Sequence, residues 1–188
     1  MNIDSFNIAL LHYPVYNKRG DIVTTAVTNM DIHDISRAAK SYGVERFYIV
    51  TPIKNQHQFV KRILRHWQRG YGSTYNPSRK EAFDIVHIKS TLEDVVKDIS
   101  GESNGKVHII TTSAASRKPF TTYKDLKEII LKDKGSYLLI FGTGWGMADD
   151  VIRDADFLLE PIKGPADYNH LSVRSAVSIS LDRLFGKS

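Results

Sequence analysis

Short apolar runs alternate along this chain with segments in which apolar residues recur at helical spacing. Because parallel strands need crossover connections, usually helices, this alternation predicts βα units and a mostly parallel sheet. The runs are nearly all apolar, which is typical of strands covered on both faces. The predicted strands are residues 7–12, 46–51, 84–88, 106–111, 137–141 and 155–159, and the predicted helices are residues 31–42, 56–69, 91–99, 122–131, 147–153 and 173–185.

A chain of 188 residues suffices for one domain with a sizeable core. No internal repeat and no low-complexity linker divides it. We therefore expect a single α/β domain over residues 1–188, with a six-stranded sheet, helices on both faces and a basic helical excursion at about 54–82. Residues 13–29 form a long connection after the first strand, and such connections are often functional.

The composition excludes several kinds of site. The chain has no cysteine, so it has no thiolate zinc site, iron–sulfur cluster or cysteine nucleophile. No apolar run reaches the length of about 18 residues that a membrane span needs, and the N-terminus lacks the features of a signal peptide. We expect a cytoplasmic protein with no metal site and no membrane contact. Four histidines without metal-ligand spacing are interpreted as structural: His12, His57, His87 and His108.

The net charge of +5 is concentrated in one block. Residues 51–80 contain seven basic residues and no acidic one, whereas the rest of the chain carries 19 basic and 21 acidic residues. A positive excess concentrated in this way indicates a polyanionic partner, which we predict to be RNA. The predicted RNA contacts are Lys54, Lys61, Arg62, Arg65, Arg69, Arg79 and Lys80.

The helix predicted over residues 56–69 carries most of these charges on one side. Its other side is apolar and is expected to enter the core, with Trp67 among the core residues. A loop predicted over residues 70–77 follows, in which Tyr71 and Tyr75 can stack on unpaired bases. Arg117-Lys118 is expected to extend the basic surface. The alternative interpretation is a solvated amphipathic helix that binds nothing.

A second unusual region is residues 138–176. Two apolar runs there stop at turns rich in glycine or proline, and the second turn leads into a polar segment that opens the last helix. The glycine-rich turn, the proline-rich turn and the polar segment are therefore three irregular loops. Because open α/β sheets bind ligands at the carboxyl ends of their strands, we expect these three loops to form the ligand site.

The glycine loop, residues 142–146, reads Gly-Thr-Gly-Trp-Gly and permits positive φ angles and close approach of a ligand. The amides at the start of the following helix are candidates for holding an anion. The spacing is not that of the dinucleotide fingerprint, and no Gly-Lys-Ser/Thr sequence occurs. An ordinary tight turn is the alternative. In the last loop, Asn169 or Ser172 is a candidate cap of the final helix.

Taken together, these segments resemble the SPOUT superfamily of RNA methyltransferases, which bind S-adenosylmethionine in a deep trefoil knot. LLIFGTGWG is similar to the family's second motif, and LLEPIKGPADYNHLSVRSA is similar to its third. TNMDIHDISRAAKSYGVERFYIVTP is similar to its first. The resemblance covers most of the chain except the basic block at 54–82. It implies a C-terminal trefoil knot and a homodimer whose active site draws on both subunits.

The resemblance implies methyl transfer from S-adenosylmethionine to a ribose 2′-oxygen or a base nitrogen of tRNA or rRNA. Arg37 would position a phosphate or assist deprotonation, and Asn29 and Asn169 are the other implied catalytic residues. The implied cofactor-binding residues are Thr111, Thr112, Ser113, Gly142, Thr143, Gly144, Trp145, Gly146, Leu159, Pro161, Ile162, Asn169, His170, Leu171, Ser172 and Ser175.

Two motifs depart from the family pattern. Members that methylate ribose usually have Asn six residues before the Arg and Gly four before, whereas Asp31 and His33 stand there and Asn29 lies eight before. The third motif reads Asn-His-Leu-Ser rather than Ser-Leu-Asn. The resemblance therefore supports binding of the cofactor more strongly than it identifies the atom that accepts the methyl group. Asp31, His33 and Asp167 are further candidates for catalysis.

Methyl transfer depends more on aligning the acceptor with the donor methyl group than on activating either of them. The donor methyl sits on a sulfonium, which needs no metal, so the enzyme must align the acceptor in line with it. A ribose hydroxyl or ring nitrogen also needs a base or a charge that helps to withdraw its proton. Two alternatives remain at this stage: a non-catalytic RNA-binding protein that keeps the fold, and an α/β enzyme that uses another nucleotide at the glycine loops. Arg37 can equally lie on a solvated helix face.

Overall fold

The computed structural model describes residues 5–101, 106–115, 119–133, 135–166 and 168–187. The predicted sheet of six strands is present, and all of its neighbouring strands pair in parallel. A short antiparallel pair, β2 and β3, lies in the long connection. The strands are β1 (Ser5–Leu11), β2 (Val15–Tyr16), β3 (Ile22–Val23), β4 (Arg46–Val50), β5 (Val86–Lys89), β6 (Val107–Thr112), β7 (Ser136–Gly142) and β8 (Phe157–Leu159).

The strand order across the large sheet is β5-β4-β1-β7-β6-β8. All six predicted helices are present, with ends shifted by at most two residues. Within the described part of the chain, no helix is both long and apolar enough to cross a bilayer. The helices are α1 (Asn29–Ser41), α2 (Lys54–Arg69), α3 (Tyr71–Tyr75), α4 (Pro77–Asp84), α5 (Leu92–Ser100), α6 (Tyr123–Lys132), α7 (Asp149–Arg153) and α8 (Val173–Phe185).

Helices cover both faces of the sheet, as predicted. Because successive strand residues point to opposite faces, Ile8 and Leu10 of β1 join one buried cluster and Ala9 and Leu11 join the other. The larger cluster receives apolar side chains from α1, α2, α4, α6 and α8. The smaller one receives them from α5 and α7. Both faces of β1 are therefore buried, which explains why its sequence is almost wholly apolar.

Threonine or serine residues cap the N-termini of four of the helices. Thr28 caps α1 by accepting a hydrogen bond from the backbone N of Asp31 at 3.2 Å. The polar residues Asn29 and Asp31 lie inside the first turn of α1 and do not cap it. Ser172, one of the two predicted caps, does begin α8, and Thr91 and Thr122 begin α5 and α6.

The basic block folds differently from the sequence prediction after residue 69. The predicted loop over residues 70–77 contains α3, and α4 follows it, with Asn76 accepting a hydrogen bond from the backbone N of Arg79 at 3.0 Å. Pro77 opens α4, where its missing N–H costs nothing. The two short helices fold back on α2, so the crossover from β4 to β5 is a three-helix layer over α1.

Candidate functional site

Three irregular loops leave the sheet at the carboxyl ends of β6, β7 and β8: the predicted loops after β7 and β8, and the small-residue loop after β6. β6 lies between β7 and β8, and all three strands are parallel, so the loops that follow them emerge side by side. Asn169 joins two of these loops, because its side-chain Nδ2 donates a hydrogen bond to the carbonyl oxygen of Ala114 at 3.1 Å. We call the described residues of the loops after β6, β7 and β8 the three-loop site; they are residues 113–115, 143–148, 160–166 and 168–172.

The glycine loop needs glycine at two positions for steric reasons. Gly144 has φ +60°, and a Cβ there would lie 2.8 Å from the carbonyl oxygen of Tyr16. A Cβ on Gly142 would lie 2.5 Å from Cγ of Met147. Real Cβ atoms do not approach other atoms so closely, so larger residues would displace the loop.

The long connection after β1 clamps the glycine loop, a role that the sequence did not reveal. The backbone N of Tyr16 donates to the carbonyl oxygen of Gly146 at 2.8 Å, and the backbone N of Trp145 donates to that of Tyr16 at 2.9 Å. The backbone N of Ala148 donates to the carbonyl oxygen of Pro14 at 3.1 Å. The only signal in the sequence was the length of this connection.

These bonds occupy the amides that were expected to hold an anion. The backbone N of Thr143 donates to Leu11, and that of Asp149 donates to the Tyr16 hydroxyl. At the start of α7, the backbone N atoms of Ala148, Asp149 and Val151 all donate within the protein, which leaves few amides there for an anion. A loop whose amides are occupied suits a neutral or cationic ligand better than a phosphate, which needs several donors.

The predicted cofactor residues divide into supporting and exposed positions. Thr111, Leu159 and Pro161 are buried, so their side chains support the loops from below. The Thr112 hydroxyl donates to the carbonyl oxygen of Ile140 at 3.0 Å, which ties β6 to β7. Exposed predicted positions are Gly144, Trp145, His170, Leu171, Ser172 and Ser175, and partly exposed ones are Thr112, Ser113, Gly142, Thr143, Gly146, Ile162 and Asn169.

The predicted catalytic residues are not in mutual contact among the residues that the structure describes. Asn29 and Arg37 are both exposed on α1, but eight residues of helix separate them by about 12 Å along the axis. Asp31 is buried, accepts from the Thr28 hydroxyl at 2.6 Å and lies 3.8 Å from Arg174 of α8. Asp31 therefore joins the start of α1 to the start of α8.

A buried polar chain connects β1 to the glycine loop. Nδ1 of His12 lies 2.9 Å from the hydroxyl of Thr25, and that hydroxyl shares a short hydrogen bond with the hydroxyl of Thr143. Burial lowers the pKa of His12 to about 4, with the carboxylate of Asp31 opposing the shift. The imidazole is therefore neutral at pH 7. The structural role predicted for His12 is confirmed, and the sequence missed Thr25.

A groove of about 420 Å³ runs between α1 and α2. We call it the α1–α2 groove. Phe59 on its wall is 41% exposed, whereas the sequence placed this residue with the core. Burial and the nearby Arg79 guanidinium lower the pKa of His33, so the imidazole is neutral at pH 7. The lining residues are Asn29, His33, Phe59, Arg62, Ile63, His66 and Trp67.

The basic face predicted on α2 is exposed. Five of the seven predicted RNA contacts are exposed, and none of these five has an ion pair with another described residue: Lys54, Lys61, Arg62, Arg65 and Arg69. The other two are engaged within the protein. Lys80 pairs with Asp84 at 2.7 Å, and the Arg79 guanidinium lies 4.6 Å from the ring centre of Trp67. Tyr71 and Tyr75 are exposed and stack on each other at 5.8 Å.

Three predicted site residues, Arg117, Lys118 and Asp167, lie outside the described residues. Within the described residues, no group of three or more acidic, histidine or cysteine side chains is placed to hold a metal ion. His57 bonds to the carbonyl oxygen of Thr51 at 2.7 Å, and His108 stacks on Tyr137 at 5.1 Å, in line with structural roles.

The chain matches known proteins over nearly its full length. The sequence profile of a family described as SAM-dependent RNA methyltransferase matches residues 5–186. An uncharacterized protein of Aquifex aeolicus is 41% identical over 181 residues, which cover 96% of this chain and 88% of that protein. A protein of Oleidesulfovibrio alaskensis named tRNA (guanine-N(1)-)-methyltransferase is 40% identical over 178 residues, 95% of this chain but 41% of that protein.

Solved structures share the fold. The SpoU methyltransferase AviRb from Streptomyces viridochromogenes, crystallised with its cofactor AdoMet, superposes with a TM-score of 0.59 at 13% identity. The match covers 97% of this chain and 57% of AviRb. At this identity the likeness concerns the fold, while the family profile and the sequence relatives establish the relationship. The chain thus belongs to a family of S-adenosylmethionine-dependent RNA methyltransferases, and it shares its fold with a SpoU methyltransferase.

Proposed function

We propose that S-adenosylmethionine binds in the three-loop site and that an RNA nucleotide receives its methyl group there. One observation carries this assignment. The loops that follow three neighbouring parallel strands lie at the same edge of the sheet, and Asn169 forms a hydrogen bond between two of these loops. The occupied amides of the glycine loop favour a sulfonium nucleoside over a nucleotide held by its phosphates. Exposed Trp145 offers an aromatic face beside that loop, with 62% of its surface accessible.

The residues of this chain supply alignment and proton transfer. The bound sulfonium supplies the methyl group, and the protein holds the acceptor in line with it. Arg37 is exposed and has no ion pair among the described residues, so its guanidinium is available to bind an RNA phosphate in a bidentate manner. Asn29 is proposed to orient the bound RNA, and Asn169 is proposed to orient the cofactor loop.

The acceptor atom decides whether a base is needed. The relative named tRNA (guanine-N(1)-)-methyltransferase suggests tRNA as the first substrate to test, although this chain spans only about two fifths of that protein. A guanine N1 or a ribose hydroxyl releases a proton on methylation, so a neutral base nearby would assist.

The family resemblance adds an assembly to this proposal. We infer a homodimer in which Arg37 of one copy serves the three-loop site of the other, and a trefoil knot around α8. Support comes from the exposure of Arg37 and from the absence of contact between it and the other proposed catalytic residues within the described part of one chain. A cytoplasmic location is proposed on the same basis, because the substrate is RNA.

Calorimetry and methyl transfer test the proposal. Titration with S-adenosylmethionine should give saturable binding, whereas NAD and ATP should give much weaker binding or none. Radiolabelled methyl from S-adenosylmethionine should then enter bulk tRNA or rRNA from cells that lack this protein. Binding of ATP or NAD instead would reject the cofactor assignment. Binding of RNA and cofactor without transfer would leave a binding protein that keeps the fold.

A further inference from the structure

The α1–α2 groove has the dimensions of a ligand site and lies outside the three-loop site. Its volume of about 420 Å³ falls within the range of roughly 300–1,000 Å³ that small-ligand sites occupy. Phe59 stands on its wall with 41% of its surface accessible, although the neighbouring Val60 is fully buried. An aromatic ring left open beside a concavity offers a stacking surface.

The second aromatic ring of the groove is held in place. The guanidinium of Arg79 lies 4.6 Å from the centre of the Trp67 ring, and Phe83 lies 5.9 Å from it. The backbone of Gly72 approaches the ring so closely that a Cβ there would lie 2.7 Å from Cε3 of Trp67. Trp67 is therefore fixed before any ligand arrives, which lowers the entropy cost of binding.

Polar groups and positive charge surround these rings. Asn29 carries an amide with donors and an acceptor, and neutral His33 carries one donor and one acceptor, which together match the edge of a nucleobase. Arg62 lines the groove, and Lys61 and Arg65 are exposed on the same helix, where no acidic residue occurs. The chemistry favours a ligand with a flat ring and a phosphate.

Hydrogen bonds fix the groove relative to the three-loop site. The Gln56 side chain of α2 accepts from the backbone N of Val27 at 2.8 Å and donates to the carbonyl oxygen of Thr25 at 3.3 Å. Thr25 in turn bonds to Thr143 of the glycine loop. Asn29 on the groove wall lies four positions after Thr25, so the chain between them spans at most about 14 Å.

We propose that the α1–α2 groove binds one unpaired nucleobase of the RNA substrate, close to the nucleotide that is methylated. The base stacks on Phe59 and Trp67, Asn29 and His33 contact its edge, and Arg62 binds the adjoining phosphate. The groove thereby selects RNA with an unpaired base near the target. This inference rests on the proposed function for its substrate, but it concerns a separate surface.

Tryptophan fluorescence can report on the groove directly. The chain has two tryptophans, so Trp145→Phe leaves Trp67 as the only one. A short single-stranded oligoadenylate should quench the emission of Trp67, and a blunt duplex of the same length should not. In otherwise wild-type protein, Phe59→Ala should weaken binding of the oligoadenylate by about tenfold, since base stacking is lost. Leu131→Ala, at an exposed apolar residue of α6, is the matched control.

Salt dependence separates stacking from charge. Phe59→Ala should leave the slope of log K against log salt unchanged, whereas Arg62→Ala should reduce it by about 0.7, the contribution of one phosphate of a single strand. The proposal is overturned if Trp67 emission does not respond to single-stranded RNA, or if Phe59→Ala binds it as Leu131→Ala does. It is equally overturned if Phe59→Ala changes only self-association, because the groove would then be a contact between copies.

Methyl transfer by the wild-type protein, measured in parallel, separates the two proposals. Transfer to RNA without quenching of Trp67 would reject the groove alone. Quenching without cofactor binding or transfer would reject the proposed function alone.

Discussion

Gly144 shows how one residue fixes the candidate cofactor loop. Its φ of +60° is costly for any side chain, and a Cβ there would meet the carbonyl oxygen of Tyr16 at 2.8 Å. Gly144→Ala should therefore lower stability by about 1–3 kcal/mol and weaken S-adenosylmethionine binding, as thermal unfolding and calorimetry would measure. Gly164→Ala is the control, since no atom lies within 4 Å of its Cβ position. Equal effects of both substitutions would contradict the steric argument.

Arg37 tests the catalytic assignment at the residue scale. Arg37→Ala should leave S-adenosylmethionine binding unchanged and reduce methyl transfer by about 100-fold or more, because a charged positioning group is lost. Arg37→Lys keeps the charge but not the planar fork, so it should recover only part of the rate. Single-turnover transfer measures both variants. Unchanged turnover in Arg37→Ala would remove this residue from the mechanism.

His12 makes the stability of the fold sensitive to acid. Its pKa is lowered to about 4 in the folded state against 6.5 as its ordinary value, so the unfolded chain takes up a proton first as the pH falls. The free energy of unfolding should therefore decrease between pH 6.5 and about 4, by up to about 1.4 kcal/mol per pH unit. Denaturant titrations of His12→Gln should show a shallower decrease over this window. Parallel curves for the two proteins would show that His12 does not contribute.

At the scale of elements, α2 has an apolar side and a basic side, as its amphipathic pattern predicted. Its apolar side packs on the larger core cluster through Val60, Ile63 and Leu64, and its basic side is exposed. The double charge reversal Arg62→Glu/Arg65→Glu should weaken RNA binding and flatten its dependence on salt, since two phosphate contacts are lost. Lys124→Glu, at an exposed position of α6, is the control for an added negative charge away from α2. If the salt dependence of RNA binding were unchanged in the double variant, RNA would bind at a surface other than α2.

Element boundaries followed from the sequence where periodicity was strong. Predicted helix 56–69 exists because its apolar residues form a stripe that the core can bury. The secondary structure of residues 70–84 was harder to predict, because α3 and α4 have too few residues to show a helical periodicity. Their helical state depends on packing against α2, which only the folded chain provides.

At the scale of the whole molecule, the proposed homodimer predicts complementation. Arg37→Ala and Gly144→Ala would each inactivate a different part of the shared site. After mixing under conditions that exchange subunits, half of the dimers are mixed, and one of their two sites receives Arg37 from one copy and an intact loop from the other. Methyl transfer should recover to about a quarter of wild type. Failure to recover activity, despite confirmed exchange, would show that each chain builds its own site.

The sequence by itself determined the class of fold, the order of its main elements and the irregular loops after β7 and β8. These follow from local information: strand length, helical periodicity, and glycine or proline at strand ends. It also indicated the family, because two of the three motifs include those loops and the third lies on α1 and β4. It did not determine how the loops are held, since the clamp by residues 14–16 joins segments about 130 positions apart.

Only the tertiary structure decided which polar groups remain available to a ligand. The amides of Ala148 and Asp149 at the start of α7 looked free in the sequence, yet they donate to the Pro14 carbonyl oxygen and the Tyr16 hydroxyl. Phe59 looked like a core residue, yet it stands open in the α1–α2 groove. Hydrogen-bond satisfaction and burial are properties of the whole packed chain, because each group's partner comes from a distant segment.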